Sequence, residues 1–215
     1  AKSLLGSYVV VTFTGDEVPD VLAQENVDVV FHGALDNKVR VDSGVAPLED
    51  PETTQREVAR ILAAVNATHA TDLVLGEKDF EVLVATQYAV SGLRMEVKLH
   101  SVPTVRTPDG LPVSLRNADV PEDKRDAALA LPAALTAGAH AAEHGADKVL
   151  ETVRGVLASE GLEPAYLEIR DLALREAPER GDARLLAAVD LDGVRLIDNV
   201  GLPLGIGFKH IEEDR

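Results

Sequence analysis

The chain has 215 residues, of which 46% are hydrophobic and 27% charged, and its formal net charge is −16. This is the composition of a globular protein with enough apolar residues for a core, in one large domain or two small ones. The negative charge argues against nucleic acid or a membrane as the main partner, and the absence of cysteine excludes disulfides and thiolate chemistry. Since no apolar run approaches the ~18 residues of a membrane span, we expect a cytoplasmic protein.

The first half of the chain alternates predicted strands and helices. In order they are a strand Tyr8–Phe13, a strand Val27–His32, a helix that Thr53 or Thr54 caps and that runs to about Thr68, a strand Leu73–Leu75, a helix from Asp79 to Val90 that Gly92 ends, and a strand Arg94–Val102. The first two strands are continuous β-branched runs, as in strands buried on both faces of a parallel sheet. The alternation predicts a Rossmann-like α/β fold with a parallel sheet, and residues 1–102 are assigned to a partial nucleotide-binding domain.

The pattern changes after Pro103. The predicted elements are a turn Thr107–Gly110, an Ala-rich helix from Pro121 that is interrupted near Pro132, a helix Ala146–Ser159, and three strands, Ala165–Arg170, Leu185–Leu191 and Val194–Asn199. Asp192-Gly193 is typical of a tight hairpin turn between the last two strands. Residues 103–215 are therefore predicted to form a smaller α+β domain.

A charged tetrapeptide, Gly76-Glu77-Lys78-Asp79, follows a predicted strand and opens a predicted helix. Ligands of open α/β sheets bind at the carboxyl ends of strands, and the free N–H groups of a helix start favour an anion. Gly76 lets a ligand approach the main chain, and Lys78 adds a positive charge. The pattern indicates either a phosphate site or a well-capped turn.

A second polar segment, Val102–Asn117, contains Arg106, Ser114, Arg116 and Asn117. A guanidinium binds two phosphate oxygens in a fork, and a hydroxyl donates between them, so this segment also suits an anion. The alternative interpretation is a polar loop between domains. His140 and His144 are four residues apart, but no third ligand accompanies them, so we expect a solvated helix face and no metal site.

Four segments resemble one family: LGEKDF (Leu75–Phe80), VPTVRTPDGLPVSLRN (Val102–Asn117), YLEIRD (Tyr166–Asp171) and VRLIDN (Val194–Asn199). In order and spacing they are similar to the pantothenate synthetases, the pantoate–β-alanine ligases of the nucleotidyltransferase superfamily. The resemblance implies a cytoplasmic, dimeric ligase that uses ATP with Mg2+. Such enzymes activate pantoate as an acyl-adenylate, release pyrophosphate, and let the amine of β-alanine attack to give pantothenate and AMP.

The resemblance also implies site residues. By position in the family motifs, ATP is bound by Gly76, Glu77, Lys78, Asp79, Val105, Val113, Ser114, Leu115 and Arg116, with Val105 meeting the adenine through its backbone. Lys78, Ser114 and Arg116 are the expected catalytic residues, because fixed cations and donors stabilise charge that develops on the α-phosphate and on departing pyrophosphate.

Several family positions differ in this chain. The His-x-Gly-His motif of the family is absent, and the resemblance places it before Ala1. Thr14–Val18 replaces a segment that grips pantoate, Thr53–Arg56 replaces a His-Phe-x-Gly segment, Val82 replaces a Gln that binds pantoate, and Leu115 replaces a Ser. The residues that bind the organic substrate are therefore unassigned.

Three hypotheses remain open from the sequence. The chain is a divergent pantoate–β-alanine ligase whose front part lies before Ala1, a non-catalytic relative that keeps nucleotide binding and works as a partner protein, or a ligase for a less polar acid that is accepted by Thr14–Val18 and Val82. A site that hydrogen-bonds a polar acid loses recognition when Val replaces Gln. We therefore expect that the chain as given does not make pantothenate at a useful rate.

Overall fold

The computed structural model describes residues 8–13, 17–32 and 38–206, except for the side chain of Leu115. The predicted loop residues Thr14–Asp16 lie outside this part of the chain. The chain separates into two compact units: Ala1–Gly76 with Glu81–Val102, and Glu77–Phe80 with Pro103–Arg215. The division at residues 102 and 103 stays a prediction. The short segment Glu77–Phe80 groups with the second unit although the first surrounds it in sequence.

The first unit contains parallel strands and helices. In chain order they are β1 (Val10–Phe13), α1 (Val21–Gln24), β2 (Val29–His32), α2 (Pro51–Thr68), β3 (Asp72–Gly76), α3 (Phe80–Gly92, whose first residue belongs to the second unit) and β4 (Lys98–Val102). β1 pairs in parallel with β2, and β3 pairs in parallel with β4. Together with the antiparallel sheet of the second unit, these strands confirm the predicted mixed α/β class.

The start of α2 differs from the prediction. The helix begins at Pro51, and its cap is Asp50, whose carboxylate accepts from the backbone N–H of Thr53 (2.9 Å) and from its hydroxyl (2.6 Å). These hydrogen bonds lower the pKa of Asp50. Proline suits the first helical position because it has no N–H to leave unpaired there. The expectation that Thr53 or Thr54 caps the helix was therefore wrong.

The strand predicted from Arg94 begins only at Lys98. Arg94 adopts a left-handed conformation (φ 56°), and the N–H of Met95 donates to the carbonyl of Val90 (3.0 Å). This is the hydrogen bond of a left-handed helix C-cap, which extends the end of α3 beyond Gly92. The alternating residues from Arg94 to Val97 consequently form the cap and the approach to β4.

The second unit is an antiparallel sheet with helices on it. Up to residue 206, where the described part of this unit ends, its elements are four short 3-10 segments (Glu77–Asp79, Leu115–Asp119, Glu122–Lys124 and Ala142–His144), α4 (Arg125–Ala128), α5 (Ala130–His140), α6 (Ala146–Ser159), β5 (Pro164–Arg170), β6 (Gly181–Leu191) and β7 (Val194–Leu204). The sheet order is β5-β6-β7. Asp192 and Gly193 both have positive φ between Leu191 and Val194, which confirms the predicted hairpin turn.

The predicted Ala-rich helix is divided differently from our expectation. Pro132 is the third residue of α5, where its missing N–H costs no helical hydrogen bond, and the break falls at Leu129 instead. α5 ends at His140, while His144 lies in the separate 3-10 segment, so the two histidines do not share a helix.

Within the described residues, no cluster of three His, Asp or Glu is placed to hold a metal ion. In the same part of the chain, no helix is both long and apolar enough to cross a membrane.

The core of the second unit forms where α5 and α6 pack against the sheet. Its fully buried side chains include Leu131, Leu135, Val149, Val153, Leu157, Leu185 and Val189. A Cβ added at Gly138 of α5 would lie 2.5 Å from Val153 of α6 and 3.1 Å from Leu185 of β6. Gly138 therefore allows the close approach of the two helices and β6.

Replacing Gly138 by Ala should destabilise the protein, since the added methyl overlaps Val153. Overpacking of this kind costs about 1–3 kcal/mol. The matched control is Gly155→Ala on α6, where an added Cβ meets nothing within 4 Å. That change should stabilise the helix by about 0.5–1 kcal/mol. Urea unfolding followed by circular dichroism measures both, and equal shifts for the two variants would contradict this packing.

A second prediction concerns Glu81 at the start of α3. Its carboxylate accepts from the backbone N–H groups of Leu48 (3.1 Å) and Glu49 (3.0 Å), but burial raises its pKa above the ordinary 4.5. The folded state consequently holds a proton more tightly here than the unfolded state does. The contribution of Glu81 to stability is full below pH 4.5 and falls as the pH rises through the folded-state pKa.

The variant Glu81→Gln removes this titration while keeping the side-chain shape. The free energy of unfolding of the unsubstituted chain, relative to that of Glu81→Gln, should fall as the pH rises above 4.5. Urea titrations at a series of pH values measure the difference. A difference that stays constant, or that rises with pH, would show that burial does not dominate at Glu81.

Candidate anion-binding site

Lys78 lies in the 3-10 segment Glu77–Asp79, directly after β3. Its side chain is 16% exposed, and its Nζ is 3.6 Å from a carboxylate oxygen of Asp79, which is itself 56% exposed. Gly76 ends β3, and a side chain added there would meet nothing within 4 Å, so there is open space beside its backbone. A lysine that is largely withdrawn from water interacts more strongly with an anion than an exposed one does.

The turn that carries Lys78 is held from β7 by the amide of Asn199. Its Nδ2 donates to the carbonyls of Glu77 (3.0 Å) and Lys78 (2.8 Å), and its Oδ1 accepts from Nε of Arg184 on β6 (2.6 Å). Arg184 also donates from Nη2 to a carboxylate oxygen of Glu77 (2.8 Å). Both the backbone and a side chain of the turn are thereby bound to the sheet.

The loop of residues 105–113 is a short hairpin. The N–H of Val113 donates to the carbonyl of Val105 (2.9 Å), and that of Thr107 donates to the carbonyl of Leu111 (2.9 Å). At its tip the hydroxyl of Thr107 donates to Asp109, and this hydrogen bond lowers the pKa of the Asp109 carboxyl. The hairpin leaves Val105 and Val113 exposed (65% and 57%).

Arg106 fixes this hairpin to β7. Its guanidinium donates to both carboxylate oxygens of Asp198 (2.7 and 3.0 Å), and Nη1 also donates to the carbonyl of Gly110 (3.2 Å). Asp198 is 2% exposed. The prediction that the Arg106 guanidinium belongs with Ser114 and Arg116 as a phosphate ligand is corrected here, because a buried carboxylate already occupies its fork.

Ser114 and Arg116 begin the 3-10 segment Leu115–Asp119. The hydroxyl of Ser114 caps this segment by accepting from the backbone N–H of Arg116 (3.2 Å). Asn117 secures it from the other side by donating to the carbonyl of Pro112 (2.7 Å). The side chain of Arg116 remains exposed.

One pocket of the second unit brings Lys78, Ser114 and Arg116 together. Its interior volume is about 10 Å³, roughly the space of one water molecule, and the empty space including the open solvent above it is about 290 Å³. Asn117, Arg195 and Asp198 also line it, while Arg106 neutralises Asp198. Gly76, Glu77, Asp79, Val105 and Val113 are predicted site residues that do not line this pocket. The pocket therefore presents lysine, arginine and serine side chains, a set that suits phosphate oxygens.

Other predicted positions lie in the first unit. Val82 is half-buried on α3, and the hydroxyl of Thr53 donates to the carboxylate of the helix cap Asp50. A larger cleft, whose interior volume by the same measure as the 10 Å³ above is about 660 Å³, lies among β1, α2 and β3. None of its described lining residues is a predicted site residue.

Arg184 is a residue of this region that was not predicted from the sequence. The signal was present, because an arginine interrupts the apolar run from Ala183 to Val189 in a strand whose neighbours are buried. An arginine at such a position needs a partner for each of its donors. The identity of those partners could not be inferred, since Glu77 is 107 residues away in sequence.

Comparisons with known proteins identify the family. A family profile described as "Pantoate-beta-alanine ligase" matches residues 19–201. The chain is 46% identical over 160 residues to a pantothenate synthetase of Corynebacterium jeikeium (72% of this chain, 52% of the relative). It is 35% identical over 218 aligned positions to that of Mycolicibacterium vanbaalenii (96% of this chain, 69% of the relative). The chain spans about half the length of the first curated relatives it matches.

Two solved structures superpose on the fold of this chain. Pantothenate synthetase from Thermus thermophilus superposes with a TM-score of 0.80 at 24% identity, over 90% of this chain and 83% of the other. The ligase from Francisella tularensis, solved with beta-gamma ATP and beta-alanine, gives 0.64 at 22% identity, over 84% and 67%. Since the profile match covers most of the sequence, the chain belongs to the pantoate–β-alanine ligase family.

Proposed function

We propose that this chain binds ATP at the site that its family uses for the ATP-dependent condensation of pantoate with β-alanine through an acyl-adenylate. One observation carries the proposal: Lys78, Ser114 and Arg116, which come from two separate family motifs, line a common pocket. Family membership supplies the reaction class. The ATP and β-alanine in the Francisella tularensis complex support the same substrates here.

The chemistry of adenylation fits these three side chains. As the carboxylate of pantoate attacks the α-phosphate, negative charge grows on the phosphate and on the departing pyrophosphate. Lys78 is a largely buried cation, and Arg116 offers an exposed fork of donors. Cations held in place before the reaction stabilise the transition state without reorganising.

Ser114 has a defined donor role in this proposal. Its oxygen already accepts from the N–H of Arg116, so its own proton is directed to another acceptor, such as a phosphate oxygen. Gly76, Glu77 and Asp79 would contact ribose and phosphates around Lys78. Val105 would meet the adenine through its main chain, beside the hydrogen bond that its carbonyl accepts from Val113.

We further propose that Mg2+ enters with the triphosphate and is held mainly by phosphate oxygens, since hard oxygen ligands suit this ion. Residues 1–102 would supply part of the nucleotide-binding domain and residues 103–215 the smaller domain. The chain would act in the cytoplasm as a homodimer.

A second function, nucleotide binding without catalysis, is favoured by two positions at which the chain differs from the family. Val82 is half-buried on α3 and has no polar atom in its side chain, and the hydroxyl of Thr53 is bound to the helix cap Asp50. Neither is arranged to recognise a polar acid. The proposed ATP site, by contrast, keeps its charged residues.

Replacing Lys78 by Ala should raise the Kd for Mg-ATP at least about tenfold, because a charge-assisted hydrogen bond is worth about 1.5–3 kcal/mol. Isothermal titration calorimetry on the 215-residue chain measures the change. Lys148→Ala is the matched control, since Lys148 is exposed on α6 and pairs with Glu151 (2.9 Å). Unchanged affinity in Lys78→Ala, or no ATP binding by the unsubstituted chain, would reject the proposed site.

Pyrophosphate release separates the two functions. With ATP and pantoate, the chain as given should release no more pyrophosphate than it does without pantoate, because Val82 and Thr53 cannot replace the lost contacts. The Corynebacterium jeikeium enzyme provides the positive control. Release that depends on pantoate would contradict the expectation and favour the ligase. Release with another acid in a panel of carboxylic acids would instead indicate a ligase of changed specificity.

A further inference from the structure

Two neighbouring residues of β7 each hold one of the two segments that carry the proposed phosphate ligands. Asn199 binds the turn of Lys78, and Asp198 binds, through Arg106, the hairpin that leads into Ser114 and Arg116. We propose that Asp198 and Asn199, together with Arg184, are positioning residues that set these segments at the separation one polyphosphate requires. This inference rests on the proposed function, because it concerns the same ligand.

The orientation of the Asn199 amide is fixed by its partners. The carbonyls of Glu77 and Lys78 can only accept hydrogen bonds, and Nε of Arg184 can only donate one. The amide can therefore be placed in only one way, with Nδ2 toward the turn and Oδ1 toward Arg184. Asn199 is 4% exposed, so water does not substitute for these contacts. Displacing the backbone of Lys78 would leave the Asn199 amide without partners in the protein interior, and the unpaired buried groups would destabilise the displaced arrangement.

Arg184 gives the turn a second attachment. Its side chain is 12% exposed and that of Glu77 is 22% exposed, so the ion pair between them is largely withdrawn from water. The guanidinium also lies 4.3 Å from the centre of the Phe80 ring, at the start of α3. A cation over an aromatic face adds attraction that is stronger when desolvated. Arg184 thus attaches Glu77, which precedes Lys78, and Phe80, which lies two residues after it, to the sheet.

Asp198 acts on the other segment. Its carboxylate accepts two hydrogen bonds from Arg106 and a third from the backbone N–H of Asn199 (2.8 Å). A bidentate arginine–carboxylate pair fixes direction as well as distance. Arg106 is 31% exposed while the Asp198 side chain is fully buried, so the hairpin is attached to the interior of the unit.

Adjacent strand positions explain how one short stretch of β7 serves both segments. Successive side chains of a strand point to opposite faces, so Asp198 and Asn199 reach in different directions from one rigid backbone. That backbone is paired on β6 with Ala187 and Leu186. Because both segments are attached to one rigid strand, they move little relative to each other. The distance between Lys78 and the Ser114–Arg116 segment is therefore kept nearly constant.

The test is the substitution Asn199→Asp, which keeps the shape and the acceptor for Arg184 but turns a carboxylate oxygen toward two carbonyls. The Kd for Mg-ATP, measured by calorimetry, should rise at least about tenfold, which corresponds to about 1.4 kcal/mol. In a Lys78→Ala background the same substitution should change Kd by less than about twofold, since its effect acts through Lys78. Asn66→Asp, at an exposed position of α2, controls for the added charge.

A purely structural role would give a different pattern. Unfolding curves in urea show whether Asn199→Asp is folded, and Arg184→Lys provides a second variant that keeps the charge but loses the fork to Glu77 and Asn199. The positioning role is overturned if the folded variants have an unchanged Kd for Mg-ATP. It is also overturned if Asn199→Asp lowers the affinity equally with Lys78 present and with Lys78 replaced. Neither outcome contradicts the proposal that the chain binds ATP. Absence of ATP binding by the unsubstituted chain overturns the proposed function and this inference together.

Discussion

The fold of the second unit depends on a pair of buried polar side chains that must find partners within the protein. Asp198 and Asn199 lie on β7 at 2% and 4% exposure, and a buried carboxylate or amide without hydrogen bonds destabilises the native state. Their partners are Arg106, Arg184 and the carbonyls of Glu77 and Lys78. Satisfying these two residues therefore determines where two distant segments of the chain lie.

The site is a consequence of this constraint combined with local charge. The chain as a whole carries a net charge of −16, which repels polyanions, yet one pocket collects Lys78, Arg116 and Arg195. Its carboxylate, Asp198, is neutralised by Arg106. In the proposed function, this local group of cations on an acidic background favours a compact anion over an extended polyanion that must lie along the surface.

Local signals in the sequence predicted much of the fold. The β-branched runs and the Asp192-Gly193 turn correctly predicted strands and a hairpin, because these features depend on residues that are neighbours in sequence. The expected burial of the first two strands on both faces was wrong, since no described residue of β1 or β2 is fully buried. The predicted start of α2 was wrong because Thr53 and Asp50 are both residues that cap helices well. Only the backbone conformation in the structure shows that Asp50 is the cap. Pro132 was misinterpreted because proline is tolerated in the first turn of a helix, and the sequence does not show where that turn begins.

The site was predictable in part for the same reason. Lys78, Ser114 and Arg116 sit in local motifs that indicate an anion. The role of Arg106 could not be read from its neighbours, since its partner Asp198 is 92 residues away. Contacts between residues so distant in sequence follow from the assembled sheet. The change at one pantoate position, in contrast, needs no structure to be recognised, because the replacement of a polar side chain by Val82 is visible in the sequence itself.

The most direct measurement is a crystal structure of this chain with Mg2+ and a non-hydrolysable ATP analogue. The account predicts phosphate oxygens within hydrogen-bonding distance of Lys78 Nζ and of the Ser114 hydroxyl or the Arg116 guanidinium. The contacts of Asn199 with Lys78 and of Asp198 with Arg106 should remain intact in the same complex. A triphosphate bound away from Lys78 and Arg116, or bound only after either β7 contact has opened, would contradict it.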